Sequence, residues 1–250
     1  MARRSVAPRS GVPFLHEKQI ERDTDCLLQE FADKFYAVTE PPVPVDEIAE
    51  LYLQLALEYK DMKGLFPFAD VHGAIWFEQG KIGIDKSLDP AVNPSRRGRY
   101  HFTLAHEVGH WRLHKPYYTA NPSERLLFDD GSPKPDVVCR SSERKKPVEW
   151  QADTFAAYLL MPRSLVFAAW SAFRDGDDRA VELRELHAAN SGSPLYHRGH
   201  LATTAEERDI AVKEQFCQPL ADRFHVSREA MRIRLEGLNL IVLERPATLF

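Results

Sequence analysis

The spacing of apolar residues predicts a chain built mostly of amphipathic helices. In segment 21–38 the apolar residues recur at intervals of one, three and four positions, which is the pattern of one helix face. These residues are Leu27, Leu28, Phe31, Phe35 and Tyr36. After the proline-rich stretch that ends at Pro44, segment 45–59 predicts a second amphipathic helix.

A β-hairpin is predicted next. Ile75 and Phe77 alternate with other residues on one arm, Ile82 and Ile84 do so on the other, and a turn with Gly80 separates them. We expect this hairpin to offer an edge strand along which an extended peptide can dock.

Prolines delimit the helices in the middle of the chain. A helix is predicted through "RYHFTLAHEVGHW", ending before Pro116, and a second one lies between Pro147 and Pro162. A third is predicted near 163–173. The connection 115–148 is polar and long, and it is interpreted either as a functional loop or as an insertion with strands of its own around "PDVVCR".

The chain ends are predicted to differ from this central part. Residues 1–20 are interpreted as a disordered basic tail, and residues 21–170 as the main domain. Residues 171–210 have few large apolar side chains and are expected to be a flexible or surface insertion. Residues 211–250 have the rhythm of a helix-turn-helix, with Ser227 as the N-cap of its second helix.

Charge and composition narrow the function classes. The chain has 250 residues and a formal net charge of -4 at pH 7, so nothing in its overall charge favours nucleic acid or an anionic membrane as the main partner. No apolar run approaches the roughly 20 residues of a membrane span. The cysteines number three, which argues against a disulfide framework and favours the cytoplasm.

The stretch "HEVGH" carries the strongest chemical signal. His106 and His110 lie four positions apart, so on a helix they project from one face and can bind one ion. Glu107 sits where it can reach a water molecule on that ion. This is the H-E-x-x-H arrangement, in which two imidazoles hold zinc and the glutamate is the general base.

A catalytic zinc site needs a third protein ligand. Position 116, where metzincins have a third histidine, is proline. His114 would lie about 12 Å from His106 along the helix axis, too far to share the ion, and is expected to cap the helix or support a ligand. Glu149 and Asp153 share a helix face. One could complete the metal site while the other accepts a hydrogen bond from a ligand histidine.

The two helices must approach closely for this to work. Ala152 and Ala156 are small, and Gly109 interrupts the first helix at a cost of about 1 kcal/mol. A second backbone crossing at Gly109 would explain that glycine.

Longer strings carry a family resemblance. "RRGRYHFTLAHEVGHWRLH", "CRSSERKKPVEWQADTFAAYLLMP" and "LADRFHVSREAMRIRLEGLNLI" resemble the ImmA/IrrE family of bacterial and phage metallopeptidases. The resemblance implies an α+β fold with a zincin-like core of the gluzincin type, with His106, His110 and Glu149 as zinc ligands and Glu107 as the catalytic acid and base. It also implies that Asp153 supports a ligand. Some members cleave a helix-turn-helix repressor and others act as antitoxin-like partners.

The sequence therefore predicts a cytoplasmic zinc endopeptidase acting on a transcriptional repressor in a stress or mobile-element response, with manganese as an alternative ion. The rival is a non-catalytic module that binds a repressor, a toxin or DNA. Glu107 favours the enzyme, because a structural zinc site needs no general base.

Two assignments stay open at this stage. The oxyanion donor is not assigned among Tyr100, His101, His114 and Tyr158. The C-terminal helices carry Arg228, Arg232 and Arg234, which could contact DNA phosphates. The leucines around these arginines have the pattern of packing residues, so a structural or partner-binding role is favoured over DNA binding.

Overall fold

The described chain consists of helices and of short strands that form two small sheets. The computed structural model describes residues 12–66, 71–119, 137–140, 147–190 and 204–244. Its helices are α1 Glu17–Lys34, α2 Val45–Glu47, α3 Met62–Leu65, α4 Arg97–Leu113, α5 Lys115–Thr119, α6 Pro147–Leu160, α7 Arg163–Phe173, α8 Leu183–Ala189, α9 Ala205–Phe224 and α10 Arg228–Gly237. Its strands are β1 Ala56–Lys60, β2 Val71–Trp76, β3 Lys81–Asp85, β4 Val137–Arg140, β5 Val181–Glu182 and β6 Ile241–Val242.

The chain divides into two compact units. The first contains residues 1–39 and 43–160, and the second contains residues 40–42 and 161–250. The first unit ends at Leu160 rather than at residue 170, the predicted end of the main domain, because α7 belongs to the second unit. The mixture of helices and small sheets agrees with the predicted α+β class.

The first unit holds a mixed four-stranded sheet with the order β1-β3-β2-β4. β1 runs parallel to β3, whereas the other neighbouring pairs are antiparallel. β2 and β3 form the predicted hairpin, in which Ile75 lies opposite Ile82. Gly80 has φ +56° in the connecting turn, a conformation that glycine adopts without steric cost.

Two expectations about this sheet are wrong. Residues 56–59, predicted to be helical, lie in β1, because their main chain pairs with β3. The helix before them is reduced to α2 and a π-helical turn at Ile48–Tyr52. Both hairpin strands are interior strands with a partner on each side, so the hairpin offers no edge for a docking peptide.

α4 is the central helix of the first unit. Every residue from Thr103 to His110 is buried, which is typical of a helix surrounded by other elements rather than one with a solvent face. α6 packs directly against it, and Phe155 of α6 lies where a side chain on Gly109 would be. Arg112 also joins α4 to α1 through ion pairs with Glu30 (2.9 Å) and Asp23 (3.3 Å).

α1 begins inside the segment expected to be a disordered tail. Its N-terminus is Glu17, and the main-chain N–H of His16 donates to Gln19 Oε1 (2.9 Å). Ile20 is fully buried, so burial of apolar surface holds this end of the helix in place. Residues 1–11 of the predicted tail lie outside the described residues.

In the second unit, part of the predicted insertion 171–210 is regular structure. Val181 and Leu186 are buried, in β5 and α8 respectively, and β5 pairs in parallel with β6. α9 begins at Ala205, where Thr204 accepts a hydrogen bond from the Glu207 N–H (3.1 Å). Residues 191–203 lie outside the described part of the chain.

The C-terminal helices α9 and α10 are joined by a short turn. His225 adopts a left-handed conformation there, and Ser227 caps α10 by accepting from the Ala230 N–H (3.1 Å), as predicted. Arg232 is paired with Glu214 and Glu236, and Arg234 is buried and donates to the Met161 carbonyl (3.0 Å). A helix-turn-helix role remains a prediction.

Within the described ranges, no single helix is long and apolar enough to cross a membrane. Only α6 and α7 counted together, across the break between them, reach that length and apolarity.

Replacing Gly109 tests the close approach of α4 and α6. An added Cβ would lie 3.1 Å from Cβ and Cδ1 of Phe155. Alanine gains about 1 kcal/mol of helix propensity over glycine, but overpacking costs about 1–3 kcal/mol. We expect Gly109→Ala to lower the free energy of unfolding by about 1 kcal/mol in urea denaturation.

Gly237 in α10 supplies the control, because an added Cβ there meets nothing within 4 Å. Gly237→Ala should raise the free energy of unfolding by up to about 1 kcal/mol. Equal stabilisation by both substitutions would contradict the close approach.

Candidate metal centre

Three side chains predicted as metal ligands converge between α4 and α6. His106 Nε2 and His110 Nε2 lie 2.9 Å apart. Glu149 Oε2 is 3.3 Å from His106 Nε2, and Glu149 Oε1 is 3.6 Å from His110 Nε2. Bonds of about 2.0–2.1 Å at tetrahedral angles place ligand atoms about 3.3 Å apart. The three groups therefore have the separation that a small tetrahedral ion requires.

The local sequence explains this convergence. Histidines four positions apart on α4 share one face, and the small side chains of Ala152 and Ala156, both fully buried, allow α6 to lie close to that face. Glu149 in the first turn of α6 then reaches the two imidazoles.

The charge states of these groups suit a divalent ion. Burial lowers the pKa of His110, which keeps its ring neutral. Burial alone would raise the pKa of Glu149, but the adjacent imidazoles of His106 and His110 outweigh it and hold the pKa well below its usual range. Two neutral imidazoles and one carboxylate form a donor set that zinc prefers.

One buried oxygen of this group has no hydrogen bond. Among the described residues, Glu149 Oε2 finds no hydrogen-bond partner, although it faces His106 Nε2 across 3.3 Å. Buried polar atoms are almost always satisfied, and the exceptions call for an explanation. A cation bound by Glu149 and the two histidines would supply the missing partner, so the residues present fit a metal ion.

Asp153 lies behind His106. Its Oδ1 is 2.9 Å from His106 Nδ1. Because an ionised carboxylate can only accept a hydrogen bond, Nδ1 carries the proton and the lone pair of Nε2 points into the site. This is the arrangement expected of a carboxylate that supports a ligand histidine.

The carboxylate of Glu107, next to His106 in the sequence, has an unusual environment. It is fully buried, and neither of its oxygens has a hydrogen-bond partner within the described residues. Burial, opposed by His106 and aided by Glu149, raises the pKa of Glu107 to about 8. A perturbed carboxylate beside a convergent ligand set is a mark of a reactive site.

Gly73 on β2 makes room for Glu107. A Cβ atom at position 73 would lie 2.5 Å from Glu107 Oε1 and 2.8 Å from Thr103 Cγ2. This contact could not be predicted from the sequence, because it joins a strand to a helix 34 positions away. An unexplained glycine in a buried strand was its only signal.

His114 does not join the ligand group. Its Nδ1 is 2.8 Å from His110 Nδ1, and its Nε2 is 3.1 Å from Gln151 Oε1. Burial, together with the neighbouring His110, lowers the pKa of His114 to about 3. This position agrees with the expected supporting role of His114, whereas no local pattern in the sequence indicated Gln151 as its partner.

The tyrosines considered as oxyanion donors have other partners. The Tyr100 hydroxyl contacts Asp46, and the Tyr158 hydroxyl donates to Glu17 Oε2 (3.2 Å). Tyr118 was not considered; its ring packs against Phe77. Burial is the main cause that raises the pKa of Tyr118, and the charge of Glu149 adds to it.

Comparison with known proteins agrees with this geometry. Residues 91–190 match the model of the peptidase M78 family, described as the IrrE N-terminal-like domain. That range contains both histidines, Glu107, Glu149 and Asp153. No curated protein matches the chain. Residues 91–190 therefore contain an IrrE N-terminal-like domain, which supports the predicted relation to the ImmA/IrrE family over that range.

Proposed function

We propose that this protein is a zinc-dependent endopeptidase with His106, His110 and Glu149 as metal ligands and Glu107 as its general base. The observation that carries the proposal is the Glu107 carboxylate, which is buried without a hydrogen bond among the described residues, beside three convergent ligands. Burying such a group is costly. A function that needs a basic group at this position explains why the cost is tolerated.

The ligand set supports a catalytic ion over a structural one. Three protein ligands leave one position of a tetrahedral ion open, whereas structural zinc sites close it with a fourth residue. A zinc ion held here would polarise the scissile carbonyl and lower the pKa of a bound water molecule, so that the water could lose a proton and act as the nucleophile. Manganese is an alternative occupant, because imidazoles and carboxylates also bind it.

Each neighbouring residue then has a defined task. Glu107 accepts the proton of the attacking water and returns it to the departing amine. Asp153 holds His106 so that its Nε2 lone pair faces the ion. Gly73 leaves the space in which the Glu107 carboxylate lies.

The substrate belongs to the proposal as well. We infer that it is a helix-turn-helix transcriptional repressor, cleaved in the cytoplasm during a stress or mobile-element response. Support for this choice comes from the family resemblance. A non-catalytic module that binds a repressor, a toxin or DNA is the alternative, but such a module has no need for an unpaired buried carboxylate at Glu107.

Metal content tests the ligand assignment. Purified wild-type protein should contain about one zinc ion per chain. Glu149→Ala should lose most of it, because two imidazoles alone hold zinc weakly. Glu107→Gln should keep the ion, because Glu107 is assigned no bond to it. Elemental analysis of the three proteins measures this, and full zinc retention in Glu149→Ala would contradict the assignment.

Cleavage tests the chemistry. Wild-type protein and Glu107→Gln would each be added to a native lysate of the source cells lacking this protein, and new N-termini would be identified by mass spectrometry. We expect a small set of new termini with the wild type, including one in a repressor, and a rate at least about 100-fold lower with Glu107→Gln. The same termini at equal rates with both proteins would refute Glu107 as the base.

Gly73→Ala tests the space around Glu107. The new methyl group would displace the carboxylate, so we expect cleavage to fall by about 100-fold or more while zinc content stays unchanged. Gly83→Ala is the matched control, since its Cβ would meet Met62 and Trp76 on the opposite face of the sheet. If both variants lose the same activity, the effect is general damage to the sheet.

A further inference from the structure

A chain of hydrogen bonds leads away from His110 through the buried interior. His110 Nδ1 is 2.8 Å from His114 Nδ1, and His114 Nε2 is 3.1 Å from Gln151 Oε1. Gln151 Nε2 donates to the Pro13 carbonyl (3.0 Å). The side chains of His110, His114 and Gln151 are all inaccessible to solvent, so water does not compete for the contacts among these three, whereas the contact with the exposed Pro13 is partly buried.

The Pro13 carbonyl, the last acceptor, determines which group donates and which accepts in each of these hydrogen bonds. A main-chain carbonyl can only accept, so Gln151 must turn its NH2 group toward Pro13 and its Oε1 toward His114. His114 must then carry its proton on Nε2. Its Nδ1 is left with a lone pair, and His110 must donate from Nδ1. The Nε2 lone pair of His110 therefore faces His106 and Glu149.

Reversing the direction would leave polar groups unsatisfied. If His114 carried its proton on Nδ1, Gln151 would have to turn over and place its carbonyl oxygen against the Pro13 carbonyl. Two acceptors would then face each other, and the carbonyl oxygen of the buried Gln151 side chain would have no donor there. An unsatisfied buried group of this kind costs about 1–3 kcal/mol. A single fixed carbonyl thus favours the tautomer of His110 that can bind an ion.

We propose that His114 and Gln151 are positioning residues that hold His110 in its metal-binding tautomer, with the direction of the chain set by the Pro13 carbonyl. The two ligand histidines are supported differently. His106 has the carboxylate of Asp153 behind it, whereas His110 has a neutral chain. The proposal rests on the proposed metal centre.

The segment before α1 is accordingly part of the support of the site. Phe14 stacks on Trp150 with ring centroids 5.5 Å apart and an interplanar angle of 10°. Glu17 accepts a hydrogen bond from Tyr158 (3.2 Å), which lies on α6 as Trp150 does. These contacts hold the Pro13 carbonyl over Gln151 of α6.

Nitrogen-15 NMR of the metal-free wild-type protein tests the direction of the chain without any metal. With 15N-labelled histidine, the ring nitrogen shifts and their couplings to the ring protons identify each tautomer. We expect His110 protonated on Nδ1 and His114 protonated on Nε2. The proton of His110 on Nε2 would overturn the proposal, whether or not the protein is a metalloenzyme.

Matched variants at position 114 test the consequence for metal binding, with Co2+ as a spectroscopic probe. His114→Asn places an amide oxygen where Nδ1 was, so His110 keeps an acceptor. His114→Leu has a similar size but no acceptor. We expect the dissociation constant for Co2+ to rise about 10–100-fold in His114→Leu and to stay within about threefold of wild type in His114→Asn.

Equal affinity in all three proteins, or equal weakening in both variants, would overturn the role of the acceptor. Gln151→Met, which removes the acceptor of His114 and the donor to Pro13, should weaken Co2+ binding like His114→Leu and replaces it if that variant fails to fold. Absence of Co2+ binding by the wild type would instead refute the proposed metal centre, and the NMR result would still decide the direction of the chain.

Discussion

The close packing of α4 against α6 is the constraint on which the rest of the site depends. Phe155 lies so close to Gly109 that an added Cβ would be 3.1 Å from its ring, which is tighter than ordinary van der Waals contact. The small residues Ala152 and Ala156 of α6 are also fully buried. A much larger residue at these positions would require the helices to shift, and the position of Glu149 relative to the two histidines of α4 depends on their close packing.

This packing places several polar groups in a dry interior, where each needs a partner. Most have one: Asp153 contacts His106, and Gln151 contacts both His114 and the Pro13 carbonyl. Among the acidic side chains around the proposed metal ligands, the buried oxygens without a hydrogen-bond partner within the described residues are both oxygens of Glu107 and one oxygen of Glu149. An ion and a water molecule are proposed to bind beside these atoms.

The parts of the structure predicted from sequence are those governed by short spacings. Histidines four apart, a carboxylate pair four apart and a glycine amid small residues are local patterns, and they were sufficient to identify the two helices and the residues that meet between them. Ser227 as a helix cap and the hairpin around Gly80 were predictable for the same reason.

The errors and omissions concern contacts that are distant in sequence. Residues 56–59 form part of a strand because β3 pairs with them, against their helical pattern. Residues 181–189 are ordered because Val181 and Leu186 are buried, despite their polar surroundings. The hydrogen bond from Gln151 to Pro13 joins residues 138 positions apart. No local pattern indicates such a pair.

X-ray absorption spectroscopy of the zinc-loaded protein tests the central claim most directly, because it identifies the atoms bound to the ion. The account predicts two imidazole nitrogens and carboxylate or water oxygens at about 2.0–2.1 Å, with no sulfur. In Glu149→Ala the imidazole scattering of any zinc that remains should persist, while the contribution of the carboxylate is lost. Sulfur at about 2.3 Å, or no scattering from imidazole, would contradict the metal centre between α4 and α6.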